Sequence, residues 1–176
     1  LLLSALALTL GTAFAQKKTT TAAVVNFDAT TSLDKLPKAE NKSAIAVLNT
    51  QSGAVKFEAT MKNFSFSNPM IQEHFNSAGW LDSDQFPTAI FDGKITNLSD
   101  INFEKEGTYT ANVEGDLTIH GKTNKVTTKA TITVAGKSIK SAAEFKIQLA
   151  DYDVKGRAIE AGKVAKEPVI TVSADF

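Results

Sequence analysis

Side chains able to act as acids, bases or nucleophiles are few in this chain and widely separated. Its two histidines, His74 and His120, stand in different segments, and cysteine is absent, so no thiolate is present for catalysis, metal binding or redox exchange. Serine catalysis needs a base and an orienting acid, and the G-x-S-x-G turn that presents such a serine does not occur. A zinc centre needs three or four ligands, and the histidines with the scattered carboxylates fall into no recognised spacing. Asp82 and Asp84 are close enough to pair, but they precede Phe86-Pro87, where aspartates cap backbone donors in a turn. His120, next to Gly121, reads as a group that bonds a neighbouring carbonyl or carboxylate and fixes a turn; His74 reads as a cap-region or packing group. Lys plus Arg and Asp plus Glu both number 19, which removes the positive field a nucleic-acid binder relies on.

The abundant resource is apolar. Phe occurs 11 times, against one Trp and two Tyr, and supplies bulk without a polar handle. Elements with one apolar face must position it. Val55, Phe57, Ala59 and Met61 alternate with Lys56, Glu58, Thr60 and Lys62, the period-two mark of a half-buried strand. From Tyr109 to His120, positions 109, 111, 113, 117 and 119 are apolar and the intervening ones mostly polar. After a polar turn at Gly121 to Asn124, residues Val126, Ala130, Ile132 and Val134 share a face; a hairpin at Gly136 leads to Ala143, Phe145, Ile147 and Leu149 on another. Val24 to Ala29, Ala44 to Asn49, Pro87 to Ile95 and Val169 to Phe176 are further strand candidates.

One stretch breaks the alternation. Asn68 as cap, Pro69 at the first helical position and Met70, Ile71, Phe75 and Ala78 at helical spacing predict a short helix over Pro69 to Gly79, covering one end of the sheet. About eight strands and almost no helix make an all-β antiparallel domain, and closure into a barrel would remove its exposed edges; a β-sandwich is the alternative.

Leu1 to Ala15 is an uncharged apolar run ending in Ala13-Phe14-Ala15, the form of a secretory leader with an A-x-A cleavage site, too short to span a bilayer. Such a leader begins with Met and basic residues, so its front is expected to be truncated here. Gln16 to Ala23 is low in complexity and expected as a loose tail. Residues 24–176 then form a single domain, periplasmic or secreted, with no integral membrane span.

Three segments carry a resemblance: His74-Phe75, Leu81 to Phe91, and Gly115-Asp116-Leu117-Thr118-Ile119-His120-Gly121-Lys122-Thr123. They resemble the signature segments of the YceI-like family, bacterial periplasmic or secreted proteins several of which carry isoprenoids or other long-chain amphiphiles. The resemblance runs from about Gly53 to Phe176 and implies a lipocalin-like β-barrel with a short capping helix. It also implies a hydrophobic small molecule as partner, an isoprenoid or fatty-acid-like lipid, with no separate cofactor and no metal.

On that basis the interior is expected to be lined by Val55, Phe57, Phe91, Leu117, Ile119, Ile132, Phe145 and Ile147, with Met70, Ile71 and Phe75 forming an adaptable lid. Each methylene buried there would contribute roughly 0.8 kcal/mol. Two rivals stand beside this carrier, which is not an enzyme. One is a ligand-free interaction or stress-response protein with a packed core, since a small barrel can be filled by its own side chains. The other is a hydrolase or isomerase that uses His120 inside the barrel. The sequence leaves a homodimer open.

Overall fold

The computed structural model describes residues 17–176; the expected leader, its expected cleavage site and Gln16 lie outside that range. Eight long strands follow the alternation: β1 (Lys17–Asp28), β2 (Lys38–Asn49), β3 (Ala54–Thr60), β5 (Thr88–Ile95), β6 (Gly107–Ile119), β7 (Lys122–Ala135), β8 (Ser138–Lys146) and β9 (Val169–Asp175). Each pairs antiparallel with its sequence neighbour, and β1 pairs with both β2 and β9, so the sheet closes into a barrel. A two-residue strand, β4 (Ser65–Phe66), lies against the start of β2 through Ala39 and Glu40. Closure settles the choice between barrel and sandwich.

Alternation places one side chain of each pair inside and the next in water. Phe57, Phe91 and Leu117 form one row across β3, β5 and β6, whereas Lys94 and Glu114, Asp116 and Lys125, and Lys140 and Asp175 pair across neighbouring strands on the outer wall. These exposed ion pairs set the solvent face and contribute little stability.

The β6–β7 hairpin is tighter than expected. Ile119 pairs directly with Lys122, leaving only His120 and Gly121 as the turn, with φ of 51° and 69°. A two-residue turn with both φ positive matches the twist of its strands, so Lys122 to Asn124, expected as turn, belong to β7.

The tail expected at Gln16 to Ala23 is corrected over its described residues, since Lys17 to Ala23 form the first half of β1 and pair with β2 from Asn49 to Ala44. Burial alternates from Lys17 to Thr21 and slips at the register shifts on both sides of Ala23, but threonine falls on both faces, so the sequence shows no apolar contrast although threonine suits extended backbone. The first half of β2 carries charge, but Asn41 points inward and is fully buried; its amide donates to the Thr60 carbonyl and its oxygen accepts from the Ser43 backbone and hydroxyl. Strand β8 stops at Lys146, short of the expected Leu149: the amides of Ile147 and Leu149 still reach the carbonyls of Pro168 and Lys166 in the register of the β8–β9 pair, but Pro168 has no N–H to return and the regular ladder ends there.

Helix α1 (Pro69–Asn76) begins as expected, with the Asn68 side chain accepting from the Met70 amide. It ends before the predicted Gly79 because both the amide and the hydroxyl of Ser77 turn back to the His74 carbonyl. A second helix of four residues, α2 (Arg157–Glu160), lies in the β8–β9 connection. Among the described residues no helix is long and apolar enough to cross a membrane.

Two apolar clusters occupy the ends of the barrel. The upper one joins Phe27, Phe64, Phe66, Phe75, Leu81, Tyr152, Val154 and Ile159 beneath α1 and the β8–β9 connection. The lower one joins Leu48, Ile95, Ile101, Val113, Ile132, Val134 and Ile139.

Candidate functional site: the barrel lumen

Between the clusters the barrel is not filled. It encloses a cavity of about 140 Å³, roughly ten times the 10–15 Å³ that one water needs. The wall is almost wholly apolar, and Thr128 and Ser141 are its only small polar residues. The Thr128 hydroxyl already donates to the Glu144 carbonyl. A space with so few free polar partners favours apolar atoms over water.

Nine of the eleven expected site residues line this space: Val55, Phe57, Phe75, Phe91, Leu117, Ile119, Ile132, Phe145 and Ile147. Met70 and Ile71 do not. Met70 is 67% exposed, while Ile71 is half-buried against the upper cluster. The reason is helical phase: Ile71 lies four residues before Phe75 and shares its face, whereas Met70 lies five before it, rotated by about 140° at about 100° per residue. The end of the barrel under α1 is therefore closed by aromatic rings. Phe75 is 3% exposed, and its ring centroid lies 5.6 Å from Phe27, 5.7 Å from Phe64, 4.9 Å from Phe66 and 6.2 Å from Trp80.

Trp80, Leu81, Tyr152 and Val154 also line the cavity and were missed because they sit in irregular segments without a period. Their one signal is large apolar bulk set in otherwise polar loops. Tyr152 is 2% exposed; burial pushes its phenol up to about 12, the Asp151 charge adds to this and the Asn124 side chain partly offsets it.

His120 does what the sequence suggested, since its Nδ1–H donates to the Tyr152 carbonyl at 3.0 Å, tying the β6–β7 turn to the segment that bears Tyr152. The Phe86 ring stands edge-on to the imidazole at 4.9 Å and packs so closely on Gly121 that a Cβ there would come within 2.6 Å of it. The Phe86-Pro87 and His120-Gly121 segments thus meet in space as a structural clasp. Beside them, the Asp153 carboxyl is held below its usual value, chiefly by a hydrogen bond from Lys155, with Lys122 and His120 adding. His74 is exposed on α1 and contributes its carbonyl to the helix end. Asp82 and Asp84 share no site. The Asp82 carbonyl accepts from Gln85 and Phe86, and the Asp84 carboxylate pairs with Lys62 at 2.5 Å, so backbone groups build this turn where capping carboxylates were expected.

An eight-stranded antiparallel barrel with a helix over one end and an open apolar lumen is a lipocalin-like barrel. The chain matches the YceI-like domain over residues 6–176 and belongs to that family. Among solved structures it is similar to BcnA of Burkholderia cenocepacia, at 20% identity and a TM-score of 0.72, covering 88% of this chain and 96% of that one. It is similar to a polyisoprenoid binding domain from Saccharophagus degradans implicated in plant cell wall breakdown, at 12% identity and a TM-score of 0.73, covering 90% and 96%. It is also similar to the Campylobacter jejuni YceI protein, at 18% identity and a TM-score of 0.55, covering 76% and 80%. At these identities the likeness is one of fold. No curated protein matched the chain.

Proposed function

We propose that the protein binds a long apolar chain, of the isoprenoid or another long-chain amphiphile class, in the barrel lumen and carries it in the periplasm or outside the cell without transforming it. The observation that carries this reading is the unfilled, apolar cavity of about 140 Å³. Well-packed interiors leave few voids larger than a water molecule, so this space supports a guest over a packed, ligand-free barrel. The polyisoprenoid binding domain of S. degradans shares the fold and lends support for the ligand class. Affinity comes from water exclusion, at roughly 0.8 kcal/mol per methylene buried, offset by the cost of fixing a flexible chain. His120, the one side chain a barrel hydrolase would turn to, is engaged with the Tyr152 carbonyl and the Phe86 ring. The leader form of Leu1 to Ala15 supports export, with Gln16 as the mature amino terminus.

The test is mass spectrometry of natively purified protein, followed by titration of the lipid-stripped protein with fatty and prenyl probes. Saturable uptake of at least one chain is expected. Absence of uptake at every chain length would refute the carrier, and amino-terminal sequencing of exported protein that begins before Gln16 would refute the cleavage site.

A further inference from the structure

Gly93 of β5 and Gly115 of β6 face each other directly across the barrel wall. Neither has a positive φ, so backbone conformation does not require glycine at either place. Space does. A Cβ on Gly93 would lie 2.7 Å from Cζ of Phe91, and a Cβ on Gly115 would lie 2.6 Å from the same atom. The tip of one ring therefore fills the room that two side chains would otherwise take. Each Cβ would also come within 2.5 Å of a carbonyl on the facing strand, Glu114 or Asp92, so the strands approach closely at this pair. The result is a notch in the wall with the Phe91 ring seated in it, an aromatic covering paired glycines.

The position of that ring along the barrel gives the notch its meaning. Phe91 packs against both the upper and the lower apolar clusters, and the cavity is lined above it by Phe75 and Trp80 and below it by Ile95 and Ile132. Phe91 therefore stands at the waist of the lumen. Seated against the glycines, its ring hugs the wall and the two halves stay connected; displaced from them, it would stand across the passage.

We propose that the Gly93–Gly115 notch is the chain-length determinant of the site: by seating Phe91 it admits a chain long enough to pass the waist into the lower half. This rests on the lumen being the chain-binding site. Lipid-stripped parent, Phe91→Trp and Phe91→Ala proteins are titrated calorimetrically with octanoate, laurate and palmitate, circular dichroism reporting the fold of each. A tryptophan at this position outgrows the notch with both glycines intact. It is expected to weaken palmitate by more than about tenfold for every two methylenes shut out of the lower half, and to leave octanoate within about threefold. In Phe91→Ala the passage has no ring to close it, so palmitate keeps or improves its advantage over octanoate. A folded Phe91→Trp protein with an unchanged length profile, or one weakened equally for all three acids, overturns the inference. So does a Phe91→Ala protein in which palmitate loses its advantage. A parent that takes up none of the acids overturns the binding reading itself, whereas a parent that binds them with a profile unmoved by the Phe91 variants overturns only the role of the notch.

Discussion

Phe75 is the one buried residue of α1, and four aromatic rings surround it. Truncation to alanine removes a fully packed ring, a change that costs about 3–5 kcal/mol when the surroundings cannot collapse. An eight-residue helix has little stability of its own, so the barrel need not bear that cost. Once the vacated space costs more than undocking, α1 leaves. The opening equilibrium of α1 should therefore shift by about a hundredfold to several thousandfold toward the open form, while global stability in urea falls only by the cost of undocking. Hydrogen exchange separates the two: amides of Ile71, Gln72 and Ser77, all bonded within the helix or at its ends, should lose protection, and those of β6 and β7 should keep most of theirs. A bound fluorescent chain should leave the variant faster in proportion. Parent-like exchange in α1 together with a uniform loss in every strand would refute the argument that this ring alone holds the lid.

Phe145 is only partly buried and faces the lumen, so Phe145→Ala should cost less than the 3 kcal/mol or so of a packed ring and should change chain uptake; Lys146→Ala, on the outer wall, should stay within about 0.5 kcal/mol and leave uptake alone. Equal effects of the two on uptake would refute the strand phase. The Tyr152 phenol stays neutral up to about 12 in the folded protein and ionises near 10 when unfolded. Its protonated form is thus favoured by folding, and stability should fall between these values by roughly 1.4 kcal/mol per pH unit, about 3 kcal/mol in all, with no contribution from this group below pH 10. Ultraviolet titration of Tyr109→Phe protein, in which Tyr152 is the only tyrosine, checks this, and ionisation near 10 would refute it. His120→Ala should lose about 1 kcal/mol with its hydrogen bond and keep chain uptake, and His120→Gly should recover part of the loss because φ there is 51°. Loss of uptake with unchanged melting would mean that His120 belongs to the binding site.

The strands of the wall were legible where one face alone is wet. Val55 to Met61 and Tyr109 to Ile119 alternate because water lies on one side and the lumen on the other, and that contrast is written into every second residue. The start of β1 was not legible. Its threonines carry no apolar contrast and it is held by pairing with β2, which no local pattern records. Charge hid the start of β2, where the inward residues are Ala39 and a fully bonded Asn41. Helix α1 is legible in Asn68-Pro69, yet apolar character alone also points Met70 at the lumen, and only its angular phase relative to Phe75 turns it outward. The lumen wall was foreseen in outline, but whether a space remains inside depends on how rings such as Phe91 lie against glycines across a strand pair, a property of the assembled sheet that spacing alone does not contain.

Strand β1 is bonded on one side to β2, its neighbour in sequence, and on the other to β9, from Val24 with Ser173 to Asp28 with Val169. That second seam is the only one in the barrel joining segments so far apart along the chain. Drawing such distant segments together carries the largest loop-closure cost, and contacts of this kind form slowly. Until the seam forms, the other staves make a curved trough whose inner side is open to water. The enclosed volume thus depends on this seam, and it exists as an enclosed space only when residues 169–175 take their place in the wall.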